Sequence, residues 1–91
     1  MDRYTQFQVR QMSVFASDFR DEDDREIVLQ EYQESHKDET CFIEDVFAVY
    51  GKVSADSREE RIGEFLVEQN ALNVLARLTG VEAKTGEIVT V

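Results

Sequence analysis

Residues 38–51 read DETCFIEDVFAVYG, and on a helix at about 100° per residue Phe42, Ile43, Val46, Phe47, Val49 and Tyr50 share half the circumference, opposite Glu44 and Asp45. The pattern predicts a buried central helix with one wet edge. Asp38 or Thr40 can accept the orphan N–H bonds at its start, and Gly51 can close its end in the left-handed conformation. The β-branched and aromatic content makes a buried strand the alternative, although Phe42-Ile43 followed by Val46-Phe47 does not alternate.

Upstream, Tyr4, Phe7, Val14, Phe15 and Phe19 fall on one helical face of residues 2–19, with Met12 at the margin and Asp2 as N-cap. Phe7 and Val9 also alternate with Gln6, Gln8 and Arg10, so a strand over residues 5–9 is the alternative there. Acids crowd the first turn of residues 21–36, as they do in helices, and Val28, Leu29, Tyr32 and His36 make a thin stripe with Ile27 set among the acids. Ser57 and Glu60 have the spacing of a capping box and open a long helix to Gly80, with Gly63 as a weak point and Gln69-Asn70 as a corner that can split it. Its stripes are Ile62, Phe65, Leu66, Leu72 and Ala76, then Val67, Ala71, Val74, Leu75 and Leu78. After a turn at Thr85-Gly86, the run Ile88-Val89-Thr90-Val91 is β-prone and needs a partner strand.

There is no proline in the chain and no glycine before Gly51, which favours helices joined by polar corners over hairpins. The expected architecture is mostly α: residues 1–91 form a single-domain bundle of about four helices with a short β-prone tail. The alternative is α+β, with an N-terminal strand pairing with the C-terminal one. The expected core holds Phe42, Val46, Phe47, Phe65, Leu66, Leu72 and Leu75. A chain of 91 residues buries roughly 60 to 65% of its unfolded surface, enough for one core.

Charge changes the picture more than composition does. Ten Lys and Arg stand against 20 Asp and Glu, a net charge of -10 that disfavours direct nucleic-acid and membrane binding and favours basic partners. Residues 17–45 carry twelve of the acids and three bases (Arg20, Arg25, Lys37), which places -9 of the -10 in one third of the chain. One cysteine, Cys41, excludes an internal disulfide; with no signal-like segment and no run of about 18 apolar residues, a reducing, cytoplasmic compartment fits best.

Catalytic chemistry has little to stand on. One histidine and one cysteine propose no nucleophile and base, so no enzyme activity and no cofactor is expected. His36 reads as a cap or dipole partner, and Cys41 as a small buried or half-buried side chain at a helix start. Asp18, Asp21, Asp23 and Asp24 are dense enough for diffuse cation binding, but no frame through them supplies the glycine of an EF-hand, so no specific metal site is expected.

The candidate binding residues are therefore acidic: Asp18, Asp21, Glu22, Asp23, Asp24, Glu26, Glu31, Glu34, Asp38 and Glu39. On a helix such carboxylates stand roughly 5 to 6 Å apart and present a negative face to a basic protein surface, above all that of a nucleic-acid-binding protein. In size, charge and lack of catalytic residues the chain resembles the small acidic nucleic-acid mimics that phages and mobile elements use as inhibitors of host nucleases and CRISPR complexes. The resemblance implies a non-enzymatic, protein-binding inhibitor. The other expectation is a small adaptor or assembly protein that forms a homodimer through residues 67–91, the acids being only its solvated side.

Overall fold

The computed structural model describes residues 3–17 and 26–91. Two 11-residue strands, β1 (Gln6–Ala16) and β3 (Phe42–Lys52), run antiparallel along almost their whole length, from Gln6↔Lys52 to Phe15↔Phe42. At about 3.3 Å per residue each reaches some 36 Å, which accounts for the long axis of a molecule measuring 44 × 26 × 19 Å. The shorter strands divide between the two ends. At the proximal end β4 (Glu60–Phe65) pairs with β3, β5 (Val89–Thr90) pairs with the start of β1, and α1 (Glu68–Thr79) packs across the sheet. At the distal end β2 (Ile27–Glu31) pairs with the last five residues of β1, and a 3-10 turn (Glu34–Asp38) leads back to β3.

Side chains alternate across a strand, so one register sorts two cores. Phe7, Val9 and Val49 meet Ala71 and Leu75 of α1 and Val89 of β5 on one face. Met12, Val14, Val46, Ala48 and Tyr50 form a second buried cluster on the other, with Leu29 of β2 against it. Ala71 and Leu75, one turn apart, carry the buried stripe of α1, and full burial of a leucine stabilises by about 1.5 to 3 kcal/mol. Gly80, with φ 74°, ends the helix and its N–H donates to the Ala76 carbonyl at 2.7 Å. Gly86, φ 90°, takes the turn before β5 and donates to the Val9 carbonyl at 2.6 Å.

The four-helix bundle and its all-α class are overturned: the protein is mainly β, with a five-stranded antiparallel sheet and one α-helix among the described residues. Where a central helix over residues 38–51 was expected, the chain forms β3, and the described part of residues 2–19 forms β1, with the expected N-cap Asp2 and stripe residue Phe19 outside the described residues. Residues 21–36 give β2 and the start of the 3-10 turn, with residues 21–25 outside the described part. The long helix is β4 followed by α1. The pairing of the N- and C-terminal strands, required by the α+β alternative, is present as Gln6↔Thr90 and Phe7↔Val89. Ser57 is no capping box: its hydroxyl donates to the Ser54 carbonyl and accepts the Ser54 N–H, both at 2.7 Å, while Glu60 accepts the Tyr4 hydroxyl. Of the expected core, Val46 and Leu75 are buried, Phe42, Phe47, Phe65 and Leu72 half-buried, and Leu66 is 65% exposed because it follows β4 on the turn into α1. No helix among the described residues is long and apolar enough to cross a membrane.

Candidate acidic docking surface

The distal end is where the described acids gather. Glu26 precedes β2, Glu31 ends it, Glu34 and Asp38 lie in the 3-10 turn, Glu39 follows it, and Glu44 and Asp45 open β3. Lys37 is the one Lys or Arg on these segments in the described residues, so they carry -6, whereas seven acids and seven Lys or Arg cancel over the rest of the described chain, from which Arg10 reaches Glu31. Asp18, Asp21, Glu22, Asp23 and Asp24 lie outside the described residues. Ser17 and Glu26 are bonded to each other: Ser17 N–H donates to the Glu26 carbonyl at 2.8 Å, and Glu26 N–H to Ser17 Oγ at 2.7 Å.

The strand geometry corrects the expected spacing. Along a helix these carboxylates would repeat every 5 to 6 Å, but β2 is extended, so Glu26 and Glu31 stand at opposite ends of a rise of about 17 Å. Glu26, Glu31, Glu34, Asp38 and Glu39 are all exposed. Glu31 approaches Arg10 Nη1 at 3.5 Å. Asp45 is half-buried and accepts a hydrogen bond from the fully buried Ser13 hydroxyl at 3.0 Å, so it belongs partly to the structure.

Glu34 is held on both sides. The Tyr32 hydroxyl donates to its carboxylate and Lys37 Nζ lies 3.4 Å away, so the hydroxyl first and the ammonium second hold the Glu34 carboxyl below its ordinary range. In return, that carboxylate pushes the Tyr32 phenol and the Lys37 ammonium up. A depressed carboxyl pKa stabilises the fold above the unfolded value, and the contribution disappears as pH falls through the folded one. We expect Tyr32→Phe to raise the Glu34 titration midpoint, read by carboxyl NMR shifts; an unmoved midpoint would mean the hydroxyl does not hold the carboxylate in solution.

The other reactive side chains have structural partners. His36, expected as a cap or dipole partner, lies in the last turn of the 3-10 turn and is only 6% exposed, with its ring edge-to-face on Phe15 at 4.8 Å and its Nδ1 unpartnered among the described residues. The Ser13 hydroxyl donates its hydrogen bond to the Asp45 carboxylate rather than to an imidazole and is sealed from solvent. Cys41 is half-buried, not at a helix start, and its carbonyl accepts the Ala16 N–H at 2.9 Å. No group of three or more metal-ligating side chains occurs among the described residues. Opposite α1, Gln6, Gln8, Arg10, Tyr50, Lys52 and Glu59 line an open recess of about 230 Å³, in which Arg10 stacks 3.9 Å over the Tyr50 ring and pairs with Glu59.

Apolar residues among the acids complete the distal surface. Ile27 is 63% exposed and Val28 40% exposed on β2. On a helix Val28 turns inward and Ile27 is a misfit among acids, whereas on a strand both are aliphatic side chains presented to water. No family model, curated protein or solved structure matches this chain.

Proposed function

We propose that this protein is a non-enzymatic, acidic protein-binding module whose distal end occupies the basic surface of a nucleic-acid-binding partner and so inhibits it. The observation that carries the reading is the polarisation of the molecule: -6 on the distal segments of a molecule 44 Å long and no net charge over the rest of the described chain. A fold tolerates such like-charge crowding at a cost in self-repulsion, and a one-signed end steers and orients association with an oppositely charged surface.

The immobilised protein should retain partners that duplex DNA or RNA elutes by competition at constant ionic strength. Reversing Glu31, Glu34, Asp38 and Glu39 to lysine should abolish that retention, whereas reversing Glu64, Glu68, Glu82 and Glu87 at the neutral end should not. Equal retention by the two fourfold variants would reject the reading.

A second reading, self-assembly through residues 67–91, has its own support. Val67, Leu78, Val81, Ile88 and Val91 are between 44 and 63% exposed, and Leu78 and Val91 border an open groove of about 490 Å³ with Tyr4 and Phe7. Leu78→Asp would then convert a dimer to a monomer in sedimentation equilibrium; a wild type that is monomeric at high micromolar concentration ends that reading.

A further inference from the structure

The register of β2 shows what its outer edge offers. Ser17 N–H bonds to the Glu26 carbonyl and Tyr32 N–H to the Gln11 carbonyl, and the pairs between them run in strict step from Ala16↔Ile27 to Met12↔Glu31. In an antiparallel pair hydrogen-bonded and non-hydrogen-bonded positions alternate, so Val28 and Gln30 turn their backbone groups toward β1. Ile27, Leu29 and Glu31 turn theirs away from the sheet. β2 is the last strand on this side, and among the described residues nothing pairs with that row.

Such a row is a template for another strand unless something blunts it. The edge at β4 is blunted: the register shifts between Val49 and Tyr50, and an Arg61–Glu64 ion pair at 2.9 Å links two of its residues. β2 keeps an unbroken register and carries exposed Ile27 and Val28. Its charge decides which strand fits. A second copy would bring another Glu26, Glu31 and Glu34 against the first set and is repelled, while a cationic chain is attracted and can still cover the aliphatic side chains.

We propose that the free edge of β2 takes up an extended, lysine- or arginine-rich segment of the partner protein as an added strand. The inference rests on the acidic end being the docking surface and adds how the partner is held: main-chain hydrogen bonds to Ile27, Leu29 and Glu31 supply the register, and the surrounding carboxylates select for basic side chains.

The test uses the full chain and a synthetic peptide of alternating lysine and valine, about nine residues long, enough to span β2. Binding should slow hydrogen exchange at the amides of Ile27, Leu29 and Glu31 and leave those of Val28 and Gln30 little changed. The same peptide N-methylated on alternate residues, along either edge in turn, should bind at least about tenfold more weakly when the methylated edge faces β2. Ile27→Pro removes one outward N–H without touching the β1 ladder and should weaken the unmodified peptide similarly. Equal binding by the unmethylated and both methylated peptides, with no slowing at the three amides, would overturn strand addition while leaving acidic docking intact. Binding that survives reversal of Glu31, Glu34, Asp38 and Glu39 to lysine would instead reject the docking reading on which it rests.

Discussion

Leu75→Ala is expected to lower the unfolding free energy by about 3 to 4 kcal/mol, a large share of the roughly 5 to 14 kcal/mol a domain of this length holds. Leu75 is fully buried where α1 crosses the sheet, in contact with the cluster of Phe7, Val9, Val49 and Val89. Those neighbours come from three strands, so the hole left by the isobutyl group cannot close by a shift of one element, and the cavity adds to the lost transfer energy. Leu66→Ala is the paired measurement. A helix continuous from residue 57 puts Leu66 in the core at a comparable cost, whereas the observed strand and turn leave it 65% exposed and predict a loss below about 0.5 kcal/mol. Chemical denaturation of the two variants separates the architectures directly, and similar losses at both positions would refute the strand assignment of β4.

The strands escaped a reading by periodicity because the sheet is buried on both faces. In β3, Val46, Ala48 and Tyr50 belong to one buried cluster while Val49, with half-buried Phe47, belongs to the other, so five successive residues are apolar or small. β1 likewise has Met12, Ser13, Val14 and Phe15 all buried in succession. Alternation marks a strand with one wet face, and where it fails a buried strand and a helical stripe look alike. Composition did carry the answer: Phe42, Ile43, Val46, Phe47, Val49 and Tyr50 are all β-branched or aromatic, and a helix gains nothing from that choice. The lack of proline and early glycine misled in the same direction. The return from β2 to β3 is made by residues 32–41 through a polar 3-10 turn, which needs no residue at positive φ. Only where positive φ is required, at Gly80 and Gly86, did the expected helix stop and turn appear in place.

The acidic surface was legible as charge and illegible as shape. The count for residues 17–45 is a property of the sequence, and the fold keeps the described acids of that stretch at one end, since β2, the 3-10 turn and the start of β3 are neighbours there. Their spacing was not legible, because it depends on whether each acid advances 1.5 Å along a helix or 3.3 Å along a strand. Nor was the role of Ile27. An isoleucine among acids is a misfit on a helix and an ordinary side chain on a strand whose edge is free.

Gly51→Val should destabilise the protein by about 2 to 3 kcal/mol, with Gly51→Ala at about 1 to 2 kcal/mol. Read as a helix terminus, Gly51 would be required for its backbone conformation. It instead sits within β3, where no positive φ is needed, and what requires glycine is space: a Cβ at this position would lie 2.8 Å from both Ile62 Cδ1 and Tyr4 Cδ1. Tyr4 has limited freedom to retreat, because its hydroxyl donates to Glu60 and its ring packs edge-on against Phe7 at 5.9 Å. Ile62 lies on β4 beside the register shift and is 39% exposed, so it is the neighbour more able to yield. The two mechanisms separate in a double-mutant cycle. If the clash is the cause, Ile62→Ala should recover about half of the loss caused by Gly51→Ala, giving a coupling energy of about 0.5 to 1 kcal/mol between positions in contact. Strict additivity of the two substitutions would rule out steric contact between Ile62 and the new side chain and leave the packing of Tyr4 as the source of the penalty.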